Sequence, residues 1–414
     1  MQSRFDAVVV GAGPAGSAAA ILLARAGWSV ALIERQRFPR RKVCGECIAA
    51  TNLPLLDALG VGEAIDRLAG AELRRVALLR DARSVITPLP PAEAGRQRFG
   101  RALGREHLDT LLADRARLEG VTMLQPWALH RLGGEPGRFS LDVRQAGDSG
   151  EGLHLLAPVV IAAHGSWEPL PSERASRRES RRLSDLFAFK ANFRGARLDA
   201  DLLPVLSFAG GYGGMVVADD GLATLACCVR EDRLQQARSG PADRRAGDAV
   251  EALLRRECAG VAAALAPAVR EGGWLSTGPI RPGIRLGAGD GVFRVGNAAG
   301  EAHPIVGEGI SMALQSAFLL ASLLAPAHSA LVMPATSRAE QRRLLAAYES
   351  LWRRRFSHRL RVAAAFAHVA MRPRLAGTLW PLLQRWPTVL ALGARWSGKT
   401  RCAPEAARLA EAAG

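Results

Sequence analysis

The stretch Val8-Val9-Val10-Gly11-Ala12-Gly13-Pro14-Ala15-Gly16 restricts this chain more than any other part of it. Residues 5–10 form a short, mostly apolar run of the kind that makes a buried parallel strand. Three glycines follow at once, and residues 17–26 are rich in alanine and leucine, hence helical. In this setting Gly11 permits a tight turn, Gly13 lets the backbone approach a pyrophosphate, and Gly16 lets helix and strand pack closely. Pro14 and Ala15, within the motif, are expected at the cofactor, and the first N–H groups and positive dipole end of the helix that follows favour an anion. A second strand over 29–33 ends in Glu34-Arg35. That carboxylate lies about 20 residues past the glycines, where an acid binds ribose hydroxyls, and its charge opposes a ribose 2′-phosphate. The stretch therefore predicts a Rossmann-type βαβ unit that holds a dinucleotide.

A second glycine-rich segment, Val295-Gly296-Asn297-Ala298-Ala299-Gly300, lies far downstream and runs into His303-Pro304-Ile305-Val306-Gly307-Glu308-Gly309-Ile310. A strand over 292–295 delivers it, and a helix over 309–324 follows. Between the two segments, helices are expected over 53–69, 105–118 and 246–265, and strands over 72–79, 84–87, 121–124, 140–144 and 155–163. Glycine-interrupted strands over 186–193 and 205–229 read as an antiparallel sheet, and the arginine-, serine- and proline-rich residues 168–182 as a surface loop. The expected architecture is α/β. A discontinuous Rossmann-type domain takes 1–75, 100–170 and 275–330. An interleaved β-sheet substrate domain takes 76–99 and 171–274, and a helical, basic region takes 331–414.

The 414 residues are 49% apolar, ample for two or three domains. No apolar run approaches the roughly 20 residues that span a bilayer. A glycine motif at residue 11 leaves no room for a secretory signal, and six scattered cysteines imply no disulfide framework, so a cytoplasmic home is expected. Cys44-Gly45-Glu46-Cys47 has CxxC spacing but no second pair, which argues against zinc and for two unpaired thiols; no metal site is expected. The net charge of +16 is carried by arginine, with lysine only at Lys42, Lys190 and Lys399. Between Glu349 and Glu405 there is no acid, but there are eleven basic residues. Trp352, Phe356, Leu360 and Ala363 recur there at helical spacing among Arg353, Arg354, Arg355, Arg359 and Arg361, with Trp380, Trp386 and Trp396 beyond. Three readings fit: a membrane-surface helix pair, a docking face for an acyl carrier protein, or a helical cap with a solvated arginine face. With no recognition motif, basic charge alone does not indicate nucleic acid.

Taken together, these residues resemble the FAD-dependent aromatic hydroxylase (p-hydroxybenzoate hydroxylase-like) and geranylgeranyl reductase superfamily. The glycines at 11, 13 and 16 with Glu34 carry the first match. Phe38-Pro39-Arg40 with Lys42-Val43-Cys44-Gly45-Glu46 carries the second, close to a segment that geranylgeranyl-reductase-like members place against the flavin. The third is 296–309, where members have Gly-Asp-Ala-Ala, then Pro and Gly-x-Gly. Arg105, in an Arg-x-x-Leu-x-x-x-Leu pattern, matches an arginine near the FAD pyrophosphate. The resemblance implies bound FAD, with Arg35, Gly296, Gly307, Gly309 and Ile310 among the residues around it. Two positions depart from the pattern. Asn297 stands where members have Asp, keeping an acceptor but losing the charge. His164-Gly165-Ser166 stands where hydroxylases have Asp-Gly, a motif that supports both FAD and NAD(P)H. Either NADH or NADPH reduces the flavin directly, or a separate flavin reductase does.

The implied activity is FAD-dependent oxidoreduction of a hydrophobic polyketide- or isoprenoid-like substrate, free or carrier-bound. Both a monooxygenase and a C–C dehydrogenase or reductase fit, and the segment 38–46 favours the latter. A flavin halogenase lacks its lysine and its Trp-x-Trp-x-Ile-Pro signature here; a non-catalytic carrier-binding protein that kept the fold is the remaining alternative. Pro304 matches the proline that lines the flavin's reactive face. His303 is a candidate proton donor or acceptor, set against a purely structural histidine. Glu308 does acid/base work if buried, and is otherwise a solvated loop residue. Tyr212, within Gly210-Gly211-Tyr212-Gly213-Gly214, is expected at the substrate cavity with its hydroxyl toward substrate; a turn is the alternative. Arg40 and Lys42, with Val43, Cys44 and Gly45, are expected at the FAD, and the two cations could also bind a phosphate or carboxylate on the substrate.

Overall fold

A computed structural model describes residues 2–93, 97–147, 152–166, 170–171, 181–239, 245–332 and 334–391, apart from the side chains of residues 2 and 334–337. Most of the loop read over 168–182 lies outside these residues, as do Trp396 and Lys399.

Four-residue runs of Val, Ile, Leu and Ala make the central strands of a parallel sheet. Its order is Phe293–Arg294, Val159–Ala162, Ala7–Val10, Val30–Ile33, Thr122–Leu124. The three central strands are buried on both faces, which is why they read as continuous apolar runs. Helices Pro14–Arg25, Arg105–Leu118 and Gly309–Leu324 pack together on one side. A smaller sheet of Gln2–Arg4, Leu153–Ala157, Arg138–Gln145 and Trp127–Glu135 contributes to the other side.

The second layer is a seven-stranded sheet in the order Val269–Ile280, Leu186–Arg194, Ala223–Arg230, Gly211–Val217, Leu202–Phe208, Arg75–Arg80, Arg83–Pro88. It is antiparallel except where Leu202–Phe208 meets Arg75–Arg80. Strand alternation gives it two distinct faces. Phe189, Phe193, Leu206, Met215 and Leu225 pack with Leu253 and Val261 from helices Ala246–Glu257 and Ala259–Leu265. On the opposite face the register aligns Ala188, Cys228, Tyr212 and Ser207 in one row, and Lys190, Ala226, Gly214 and Val205 in the next.

The C-terminal helix Pro334–Ala370 covers both layers. Tyr348, Trp352, Phe356 and Leu360 bury against the Rossmann-type core, and Ala367 and Ala370 against the sheet. Ser207 donates to the Ala370 carbonyl (2.8 Å) and the Gly210 N–H to that of Met371 (2.9 Å). The stripe Trp352–Phe356–Leu360–Ala363 is therefore core, so a cap is the reading that fits this helix and a membrane-facing stripe is not.

Several expected elements change. The strand expected over 155–163 is two strands in different sheets, divided at Pro158, which cannot continue a ladder. The helix over 53–69 is broken into Leu53–Ala58 and Gly62–Leu68 around Gly60, whose φ is +79°. Strands Trp127–Glu135 and Val269–Ile280 and helix Glu231–Arg238 were not expected. The stretch Gly309–Val332 does reach membrane-spanning length, with a mean hydropathy of 1.6, contrary to expectation; 72% of its apolar window is buried, as for a core helix. It is the one such helix among the described residues.

Candidate functional site

Every glycine-motif segment emerges at the carboxyl end of the parallel sheet, where open α/β sheets bind ligands. Gly11 follows Val10, Glu34 follows Ile33, His164 follows Val159–Ala162, and Gly296 follows Phe293–Arg294. Backbone bonds lock them side by side: the Gly11 N–H to Ile33 O, Ala163 N–H to Val10 O, and Val295 N–H to Ala162 O.

The glycines divide into two kinds. A Cβ on Gly11 would lie 2.6 Å from the Ala163 carbonyl oxygen, and one on Gly16 only 1.9 Å from that of Gly11. Those two are required by packing, and Gly11 also needs its φ of +105°. A Cβ on Gly13 would meet nothing nearer than Arg105 Nη2 at 3.6 Å, and one on Gly45 or Gly309 would meet nothing at all. The protein's own packing does not require glycine at those three positions.

Around Gly13 the charges interlock. Asp109, fully buried one turn along the helix from Arg105, takes both ends of its guanidinium (2.7 and 2.8 Å) and also Arg40 Nη1 (3.0 Å). Arg40 Nη2 stands 3.6 Å from Glu34, whose carboxylate accepts the N–H groups of Ala12 and Gln36. Lys42 is the third cation there; desolvation, then Arg105 and Arg40, lower its pKa. Three cations against two carboxylates leave a positive surplus at a helix start that has no side-chain cap, suited to a pyrophosphate. Arg40 and Lys42 thus lie beside Glu34, Asp109 and Arg105, at the Gly13 end of the site. Arg35 is exposed beside Glu34.

Glu46, at φ +59°, was missed as a site residue although it ends the quoted motif. It is fully buried and accepts the Arg105 N–H (3.0 Å), Thr224 Oγ1 (2.6 Å) and Lys190 Nζ. One carboxylate thereby pins the segment 38–46 to the helix of Arg105 and to the sheet. Neither Cys44 nor Cys47 is in a disulfide, and Cys44 Sγ accepts the Glu46 N–H.

At the other end, Val43 and Ile305 pack on the same apolar patch of the sheet, beside Tyr212 and Cys228. The two flavin-type segments therefore converge there. Tyr212 Oη lies 3.1 Å from His303 Nδ1, so its hydroxyl faces that ring. Tyr212 is in a strand, not a turn. Burial, and then His368 at a ring separation of 6.5 Å, bring the His303 pKa down to about 4. Burial likewise raises Tyr212 well above its usual value and takes Cys228 to about 12. Pro304 is exposed on a short turn that ends at Gly307, φ +64°. Val205, Gly214 and Ala226, beside the Tyr212 row, leave a partly open floor of small and apolar side chains.

Glu308 is buried, which removes the solvated-loop reading. Its carboxylate faces Arg359 (3.4 Å), which also donates to Gln315. Gln315 in turn bonds Asn52, which donates to Ser311, so Glu308 is part of the scaffold at the start of helix Gly309–Leu324. Asn297 Nδ2 donates to Ser166 Oγ (3.0 Å) and Glu301 (3.2 Å), and Arg285 pairs with Glu301 and donates to the Asn297 carbonyl. The departures at 164–166 and 297 are thus neighbours. Gly296 donates to Ser316 in that helix. Asp109 was findable from its i+4 spacing to Arg105; His368 and Arg359 had no local signal.

The model of the FAD binding domain family matches residues 4–354. The menaquinone reductase of Mycobacterium tuberculosis strain H37Rv is 27% identical over 401 residues, covering 94% of this chain and 90% of that protein. A 66-residue stretch is 47% identical to the menaquinone reductase of Mycolicibacterium smegmatis, an alignment covering 16% of each protein. A geranylgeranyl bacteriochlorophyll reductase-like protein from Thermoplasma acidophilum superposes with a TM-score of 0.71 at 18% identity, covering 100% of this chain and 96% of that one. The flavin-dependent brominase Bmp2 superposes with a TM-score of 0.73 at 17% identity, covering 99% and 98%. With the family model spanning the Gly11–Gly16 turn, the segment 38–46 and the segment 296–309, the chain belongs to the FAD binding domain family, and FAD is its cofactor.

Proposed function

We propose that this FAD-dependent oxidoreductase adds or removes hydrogen across a C–C bond of an apolar, isoprenoid- or polyketide-like substrate, with His303 moving the proton. The observation that carries this reading is the contact of Tyr212 Oη with His303 Nδ1 at 3.1 Å, beneath the convergence of Val43 and Ile305. FAD supplies the hydride chemistry when bound. The N–H groups opening helix Pro14–Arg25, with Arg105 and Lys42, would hold its pyrophosphate, and Glu34 a ribose. Asn297 and the residues from Pro304 to Ile310 would border the ring system. The start of helix Gly309–Leu324 would favour negative charge there.

A histidine whose pKa is near 4 is neutral at pH 7, and a neutral ring donates from one nitrogen while accepting at the other. With Nδ1 accepting from Tyr212, Nε2–H is the donor. In reduction it gives a proton to one substrate carbon while Nδ1 takes the Tyr212 proton, and solvent returns a proton to Tyr212 before the next turnover; in oxidation the opposite tautomer, with Nδ1–H donating to Tyr212 Oη, takes the substrate proton at Nε2. The similarity to the menaquinone reductases over nearly the whole chain supports reduction rather than oxygen insertion.

Behind the halogenase alternative stand fold similarity and a short sequence match, 66 residues at 46% identity to a tryptophan 2-halogenase of Chondromyces crocatus. Lys190 is buried on Glu46, and Lys42 stands in the field of Arg40 and Arg105. The test is anaerobic reduction of the holoenzyme by NADH, NADPH or dithionite, followed by a polyprenyl quinone. Reoxidation of the flavin without oxygen supports the reading. Turnover that requires stoichiometric oxygen makes the protein a monooxygenase instead. A colourless protein that takes up no FAD would leave only a carrier-binding role, and reduction by dithionite but neither nucleotide would indicate a separate flavin reductase.

A further inference from the structure

Helix Pro373–Arg385, which follows the long C-terminal helix, is amphipathic in an unusual sense: it has two apolar faces. The inner one is spoken for. Ala376 and Trp380 are buried, Arg83 lies over the Trp380 ring at 5.4 Å, and Arg80 Nη2 donates to the Pro373 carbonyl at 3.5 Å. These contacts seat the helix against the edge of the seven-stranded sheet.

The second face consists of Leu375, Leu379 and Leu382, continued by Trp386 just past the helix end, each 40 to 55% exposed. At 100° per residue these four fall within an arc of about 60°, so they form one stripe rather than scattered surface residues. Beside it run Arg372, Arg374 and Arg385, all exposed. The sequence contains no acidic residue between Glu349 and Glu405, so nothing along this helix opposes a negatively charged partner. A leucine stripe ending in tryptophan and flanked by arginines is the composition of a helix that lies in a bilayer interface, apolar face down, with its cations at anionic headgroups.

We propose that helix Pro373–Arg385 docks this protein on the surface of an anionic lipid bilayer through Leu375, Leu379, Leu382 and Trp386. The site is separate from the flavin machinery and independent of the reaction assigned above. The stripe buried on helix Pro334–Ala370 has no part in it.

The experiment is flotation of the FAD-loaded, full-length protein with vesicles of phosphatidylcholine alone or mixed with phosphatidylglycerol, at low and high salt. Binding at least tenfold stronger to the anionic vesicles, and weaker in high salt, is expected. The double variant L379E/L382E should lose that binding while keeping its flavin spectrum and melting temperature. The milder R374Q/R385Q should lose salt sensitivity while retaining weak binding. Three results would overturn the proposal: no binding to either vesicle, equal binding to both, or vesicle binding unchanged in L379E/L382E. Concentration-dependent self-association that L379E/L382E abolishes, or capture of an acidic acyl carrier protein with no vesicle binding, would give the stripe to another partner and equally overturn it.

Discussion

At the Gly13 end of the site, charge is dense and local. Arg40, Lys42 and Arg105 face Glu34 and Asp109, and every one of these groups lies between residues 34 and 109. At the His303 end there is one weakly basic ring. It is held by a tyrosine from the sheet, approached by a second histidine from the C-terminal helix, and bordered by small and apolar residues, with contributors from Tyr212 to His368. The first end is arranged to hold an anion permanently. The second is tuned by burial, which removes charge from His303 instead of adding it. Holding a cofactor needs fixed countercharge; moving a proton at neutral pH needs a group kept uncharged until it reacts.

The sharpest way to break this contrast is at the glycines. Gly16→Val should abolish FAD retention and cost at least about 3 kcal/mol in chemical denaturation, because backbone sits where its Cβ would go. The Glu46–Lys190 pair, which joins the two ends, comes next. Glu46→Ala leaves a fully buried ammonium without its partner and should cost about 3–5 kcal/mol, with Lys190→Met in the same chain recovering much of it. A cost under 1 kcal/mol would remove Glu46 from the joint.

At the reactive end, His303→Asn should lower turnover by about 10²-fold, and Tyr212→Phe by about tenfold, with flavin content unchanged. Equal loss of flavin and activity in both would mean that the pair is structural. The pH response follows from the same ring. Above pH 6.5 His303 is neutral in folded and unfolded chains and contributes nothing. As pH falls from 6.5 toward 4, the unfolded chain takes up a proton that the folded one refuses. Stability is therefore lost over that window, by about 1–2 kcal/mol after allowance for partial exposure. His303→Asn should lack that component, which unfolding curves at pH 7.5 and 4.5 would resolve. The smallest expected effect on the fold is that of Gly13→Ala. Stability should stay within about 0.5 kcal/mol while FAD affinity drops about tenfold, since the added methyl meets open space in the protein. Unaltered affinity would mean that the ligand does not approach Gly13.

What could be read from the sequence followed the same division. The turn at 11–16, the helix Arg105–Leu118 and the helix Gly309–Leu324 are set by adjacent residues, and all three lie where their patterns place them. The two long strands that were missed, Trp127–Glu135 and Val269–Ile280, are both edge strands carrying glycines and charges, and both pair across register shifts that interrupt alternation. Helix Glu231–Arg238 buries only Leu234, so no periodicity announced it. The partners of His303 and Glu308 come from residues 212, 359 and 368, and only tertiary packing brings them near. Glu46 sat in plain view inside a motif, but its value lies in Lys190 and Thr224, on two other strands.

The 37-residue helix Pro334–Ala370 is about 55 Å long at 1.5 Å per residue, and it is fastened at its middle and at its C-terminal end. Trp352 sits against Gly300, where a Cβ would lie 2.5 Å from its ring, while Ser207 and Gly210 hold its far terminus. Mechanically it is a tie rod across the joint between the two layers. Rotating the sheet away from the dinucleotide core would require bending the rod or tearing out one anchorage, and close-packed interiors resist both. The two layers are then expected to move as one body, and small-angle scattering should give one radius of gyration with and without a bound substrate analogue.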